Sequence, residues 1–126
     1  MKNIVNKRWG SYEVIIEGKK HTVKKLTVEP SGQLSLQSHE GRSEHWLVAE
    51  GKAEVIINDE TYNLIENQHI FIPQGAKHRL ANRGDQTLVV IEMWFGDLLD
   101  ENDIKRYDCL LYTSPSPRDV EESGVA

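Results

Sequence analysis

Residues 34–51 read LSLQSHEGRSEHWLVAEG. On an extended chain alternate side chains share a face, so Gln37 and His39 point the same way. Glu40 and Gly41 make a short glycine-bearing turn, and beyond it Glu44 and Trp46 again share a face. A second unusual stretch is IPQGAKHRLANRGD, residues 72–85, where His78 follows the turn residues Pro73 and Gly75. With the two stretches in opposed sheets, Gln37, His39, Glu44 and His78 converge on one interior point. Two imidazoles, a carboxylate and an amide oxygen form a mixed nitrogen and oxygen set. Such a set suits Zn, Mn, Fe, Co or Ni and leaves one or two positions for water or substrate. A lone histidine on a strand is usually a surface or hydrogen-bonded residue, and His21 and His69 are read that way.

Outward from these stretches, short apolar-alternating runs dominate residues 10–96. Strands are expected at 12–17, 21–29, 33–38, 44–50, 52–58, 61–64, 69–72, 77–82 and 87–95. Gly18, Gly32, Gly51, Asn58, Gly75 and Gly84 punctuate them. A helical pattern is expected only at 100–107, where Asp100 can cap, Glu101 and Asp103 suit the first turn, and Lys105 and Arg106 the last. Nine short strands and a short C-terminal helix imply an all-β sandwich or barrel that hides its edges. No internal repeat or linker divides it.

The length of 126 residues is that of one domain. Fifteen Lys and Arg against 20 Asp and Glu, net −5, argue against a nucleic-acid binder. The longest apolar stretches, such as LVVI at 88–91, are far short of the roughly 20 residues that span a bilayer. The N-terminus carries no apolar signal-peptide core. A single cysteine, Cys109, cannot close an internal disulfide, and the expected compartment is the cytoplasm. No phosphate-cradling GxxxxGK[ST] and no nucleophilic triad are found. The tail CLLYTSPSPRDVEESGVA, 109–126, does not match the body. Its first part, CLLYTSPSPRD, resembles the conceptual translation of a transposon adapter used to prepare sequencing libraries. The tail is expected to be non-native, with no function for Cys109, and the domain to span 1–108.

Gly32, His39, Glu44 and Gly51, followed by Pro73–x–Gly75–x–x–His78, resemble the two motifs of the cupin superfamily. More narrowly, RWGSYEV (8–14), LSLQSHEGRSEHW (34–46), IPQGAKHRLANRGD (72–85) and ENDIKRYD (101–108) resemble the cupin domain of type II mannose-6-phosphate isomerases. That domain is usually the C-terminal part of a bifunctional enzyme with mannose-1-phosphate guanylyltransferase activity. The resemblance implies a double-stranded β-helix, the cupin jelly roll. It also implies a divalent metal held by Gln37, His39, Glu44 and His78. Many relatives carry a second His two residues after the first, where this chain has Gly41. Gln37 can replace that ligand, as a Gln–x–His pair does in the related type I isomerases.

The implied reaction moves a proton between C1 and C2 of mannose-6-phosphate and fructose-6-phosphate, feeding GDP-mannose and polysaccharide synthesis. It needs a base, a cis-enediol and stabilisation of oxyanion charge, which a metal assists. Lys25, Lys77 and Arg79 are the expected phosphosugar-binding cations, with Arg83 a further candidate. Arg42, Arg79 and His45 are the expected catalytic side chains, although strand parity turns His45 away from Glu44. No general base is named. Leu34 and Leu36, on the face opposite Gln37 and His39, point to a homodimer. Met1 lies close to the first motif, as in a free-standing reading frame, and no guanylyltransferase half accompanies it. Two alternatives stay open: a non-catalytic sugar-phosphate-binding cupin, and a metal cupin of other chemistry such as an oxygenase or epimerase.

Overall fold

The computed structural model describes residues 3–107, so the tail 109–126 lies outside the described residues. The strands are β1 (Ile4–Lys7), β2 (Gly10–Glu17), β3 (His21–Val28), β4 (Gln37–Ser38), β5 (Arg42–Glu50), β6 (Ala53–Ile57), β7 (Glu60–Leu64), β8 (His69–Ile72), β9 (His78–Ala81), β10 (Leu88–Gly96) and β11 (Lys105–Arg106). They form two antiparallel sheets, ordered β1-β2-β3-β10-β5-β8 and β11-β4-β9-β6-β7. Each of the nine expected strands has an observed counterpart. The run at 33–38 is the least regular: only Gln37–Ser38 is strand, with a lone bridge from Gln33 to Ala81.

The larger sheet shows why these residues form these strands. β3 alternates strictly, burying Thr22, Lys24, Leu26 and Val28 between exposed or half-exposed neighbours. β5 buries Arg42, Glu44, Trp46 and Val48 in the same way. The register aligns Leu26, Val90 and Val48 across β3, β10 and β5, then Lys24, Glu92 and Trp46, then Thr22, Trp94 and Glu44. Across the barrel, Val55 and Leu80 pair between β6 and β9, and both are fully buried. One end of the barrel is therefore apolar, filled by Val28, Val48, Val55, Leu80, Leu88 and Val90. At the other end the inward residues turn polar and charged. Burying apolar area drives the first end together, while the second is held by hydrogen bonds and ion pairs.

Gly10 needs to be glycine: its φ is +149°, and a Cβ there would lie 1.9 Å from the Thr27 carbonyl oxygen.

The expected C-terminal helix is not formed; among the described residues there is no helix at all. Residues 98–107 instead run as a strap over the polar end of the barrel. An isolated helix this short is marginal in water, and its polar groups find better partners elsewhere. Asp103 accepts hydrogen bonds from the Glu40 and Gly41 amides at 3.1 and 2.8 Å. The Tyr107 amide donates to the Leu36 carbonyl at 2.9 Å, and β11 pairs with β4.

Candidate metal centre and its cavity

His39, Glu44 and His78 meet at the polar end of the barrel, each buried, with their candidate ligand atoms all within 4.8 Å of one another. β5 supplies Glu44, β9 opens on His78, and His39 follows β4. The His39 Nδ1–H donates to the Asp103 carbonyl at 2.7 Å, and the His78 Nδ1–H to the Ala76 carbonyl at 2.9 Å. With Nδ1 committed on both rings, each Nε2 keeps a lone pair for the interior. This is how metal-binding histidines are oriented. Burial lowers the pKa of His39 below the ordinary imidazole value, against the raising effect of Glu44, so the ring is neutral. The 3.3 Å approach of His39 Nε2 to Glu44 Oε2 is then a contact between two acceptors, not a salt bridge. Arg42 bridges them, with Nη2 3.1 Å from His39 Nε2 and Nε 2.9 Å from Glu44 Oε2. The donor set fits a divalent transition metal: two imidazole nitrogens and a carboxylate converge where positive charge is wanted.

The carboxylate of Glu44 is also held by the Trp46 indole N–H, 2.8 Å from Oε1. Burial alone would raise its pKa. His78, Arg42, a hydrogen bond from Glu92 and His39 together hold it below the ordinary carboxylate value. Glu92 has the opposite fate. Burial, then the charge of Glu44 and the hydrogen bond to it, push Glu92 well above the carboxylate range. The two acids thus divide one proton, Glu92 donating and Glu44 accepting.

Gln37 pairs directly with His78 between β4 and β9 and so shares its face. Its amide nitrogen donates to Ser35, at 3.2 Å to the carbonyl and 3.0 Å to the hydroxyl, leaving the amide oxygen as a donor atom. Gly41 is packed beneath the strap, where a Cβ would come 2.4 Å from the Leu98 Cβ. A second histidine at this position has no room unless the strap moves.

A family model described as "Mannose-6-phosphate isomerase C-terminal" matches residues 1–109. The chain belongs to this family. It is 45% identical over 104 residues to the alginate biosynthesis protein AlgA of Pseudomonas aeruginosa, covering 82% of this chain and 22% of that protein. It is 44% identical to the mannose-1-phosphate guanylyltransferase ManC of Salmonella typhimurium over the same share of each. The chain thus spans about a fifth of the length of the curated relatives it matches. Among solved structures, an oxalate decarboxylase of Lactobacillus farciminis superposes with a TM-score of 0.75 at 18% identity, over 99% of this chain and 39% of that one. The cupin domain of Schizosaccharomyces pombe Cnp3 gives 0.70 at 12% identity, over 75% and 69%. These likenesses show the fold, the cupin double-stranded β-helix.

Within this cupin domain the expected cations separate. Arg42 is in the cluster, its guanidinium carbon 3.4 Å from the Trp94 ring centre. Lys25 is not: β3 turns it outward, and its neighbour Lys24 faces in. Lys77 is exposed, its ammonium 4.5 Å from the ring centre of Tyr107. Arg79 alternates with His78 along β9 and faces away from it. Arg83 pairs on the surface with Glu54 at 3.2 Å. His45 is exposed on the outer face, its ring 4.9 Å from that of Phe71. Leu34 is not on an outer face either. The 33–36 segment is not regular strand, so parity fails there, and Leu34 packs on the core.

Three inward residues were missed by reading the sequence: Lys24, Glu92 and Trp94. All three line a cavity of about 330 Å³ that also touches Gln37 and Arg42. Their signal was present as parity. Leu26 and Val28 fix the buried face of β3, and Lys24 falls on it.

Proposed function

We propose that the domain holds a divalent metal, one of Zn, Mn, Co, Ni or Fe, through His39, Glu44 and His78, with Gln37 as fourth donor. On this reading it interconverts mannose-6-phosphate and fructose-6-phosphate. The observation that carries the proposal is a buried His–Glu–His cluster beside a cavity lined by basic side chains. When bound, such an ion supplies Lewis-acid polarisation of the sugar carbonyl. The chain's own residues do the rest. Arg42 offers a planar guanidinium to negative charge developing on a sugar oxygen. Glu92, on the cavity wall, hydrogen-bonds Glu44 and so holds that carboxylate in place. The rings of Trp94 and Tyr12 narrow the cavity and exclude water. Relatives named for alginate and xanthan biosynthesis support a role in supplying sugar for GDP-mannose and polysaccharide synthesis. The single cysteine is consistent with the cytoplasm. A homodimer is supported by the exposed Leu47, Phe71, Met93 and Phe95 on β5, β8 and β10.

The test is metal content together with the isomerase assay, with and without chelator. His78→Ala abolishes metal binding and turnover together, whereas His21→Ala, on the exposed surface, changes neither. Absence of metal from the purified wild-type protein sinks the assignment. A second reading is favoured by Arg42, whose guanidinium already supplies positive charge between His39 and Glu44. A domain that relied on it would bind the phosphosugar without turning it over. Metal-loaded protein that binds mannose-6-phosphate but leaves it unchanged would establish that reading.

A further inference from the structure

Lys24 is a lysine with only 4% of its side chain exposed. Its ammonium lies 3.9 Å from the Trp94 ring centre and 4.5 Å from that of Tyr12, and pairs with the Glu101 carboxylate at 2.5 Å. A lysine so buried is tolerated only with a counter-charge. Glu92 of the barrel stands opposite it on β10, but its ion-pair partner comes from the strap, on a residue whose side chain is 59% exposed. The inner wall of the cavity is thus a formed seat for an anionic oxygen, at present filled by a side chain from outside.

The rim of the same cavity carries Lys7, Arg8 and Arg106, all exposed. Arg8 and Arg106 make no ion pair with any described residue. With Lys24 and Arg42, five cations face one cavity, in a chain whose net charge is −5. Against them, the lining carries two acids, Glu101 and Glu92. Concentrating positive charge in one concavity of an acidic molecule attracts and holds anions.

Position adds a constraint. Lys24 is on β3 and Glu44 on β5, with β10 between them. The Lys24 ammonium and the Arg42 guanidinium lie 3.9 and 3.4 Å from the centre of the one Trp94 ring, and Arg42 in turn reaches Glu44 at 2.9 Å, so the lysine and the His–Glu–His cluster are joined along one wall of the cavity.

We propose that this cavity seats the phosphoryl group of a sugar phosphate, with Lys24 on its inner wall and Arg8 and Arg106 at its rim. Glu101 yields Lys24 as the ligand enters. The identity of the sugar rests on the isomerase reading above; the phosphate seat does not. Arg8 and Arg106 offer bidentate donors to phosphate oxygens, and Lys24 a point charge.

Calorimetric titration of the full chain with mannose-6-phosphate, inorganic phosphate and mannose tests this, with metal content measured alongside. Mannose-6-phosphate affinity is expected to fall about tenfold or more in K24M and in the double variant R8A/R106A, with metal content unchanged. Inorganic phosphate is expected to compete with mannose-6-phosphate, and mannose to bind far more weakly. E101Q is expected to bind phosphate more tightly, because Lys24 is released. If K24M fails to fold, R8A/R106A, on exposed positions, still decides. Wild-type affinity in R8A/R106A overturns the proposal, as does loss of affinity in K25M with none in K24M. Phosphosugar binding that these variants lose, in a wild-type chain with no turnover, supports the seat and overturns the isomerase reading instead.

Discussion

Glu44 and Glu92 face each other from adjacent strands with one proton between them, and their opposite pKa shifts give opposite pH dependences. Glu92 keeps in the folded state a proton that the unfolded chain releases. Its contribution is fully present below the ordinary carboxylate value and is lost as pH rises toward the folded value. Glu44 and His39 are shifted downward, so both cost stability as pH falls. For His39 the loss starts at the ordinary imidazole value, about 6.5. Glu92→Gln keeps the hydrogen-bond donor and removes the titration. In metal-free protein the variant is expected to lose less stability than wild type between pH 6 and pH 9. Urea unfolding at both pH values checks this, and parallel declines would refute the shared proton.

The strap 98–107 joins residues of the site that no strand connects. Its Asp103 side chain clamps the Glu40–Gly41 turn, the Asp103 carbonyl orients His39, the Asp100 carbonyl accepts from Arg42 at 3.4 Å, and Glu101 neutralises Lys24. Hydrogen bonds from the Glu40 and Gly41 amides hold the Asp103 carboxyl below its ordinary range, outweighing the upward effect of burial. Asp103→Ala removes two charge-assisted bonds at a partly exposed position, for a loss of about 1 kcal/mol. It is also expected to weaken metal binding, because the turn carrying His39 is released. Thermal unfolding with a metal titration reads both effects; unchanged metal affinity would mean that the strap only covers the site. The sequence of this segment was misread for a definite reason. Acids followed by bases suit a helix dipole, but they equally suit a loop that delivers carboxylates to amides and to a lysine. Local propensity does not distinguish the two. The nine strands were legible because alternation over Val, Ile, Leu and Trp is a direct imprint of a sheet with one buried face.

At the scale of the whole molecule, one barrel serves two purposes along its axis. The apolar end holds the sheets together, and the polar end spends part of that stability on buried charge. A metal that binds only the folded state returns some of it: about 2.7 kcal/mol at one hundred times the dissociation constant. The unfolding temperature is therefore expected to rise on adding the preferred metal, to fall back with chelator, and not to respond in His78→Ala. A wild-type melting curve indifferent to metal and chelator would contradict the assignment.

The sequence by itself determined the all-β architecture and the two glycine-punctuated motifs, and it named His39, Glu44 and His78, which the fold brings together. It did so because strand parity and turn chemistry are local properties. The tertiary structure alone decided which cations enter the site. Parity puts a residue on one side of a strand; only the closed barrel says which side is the cavity and what stands opposite. Lys24 faces in and Lys25 out, Arg79 turns away from His78, and Arg8 and Arg106, nearly one hundred residues apart, share a rim. Their meeting depends on β11 pairing with β4 beside the opening, a long-range contact with no local signature.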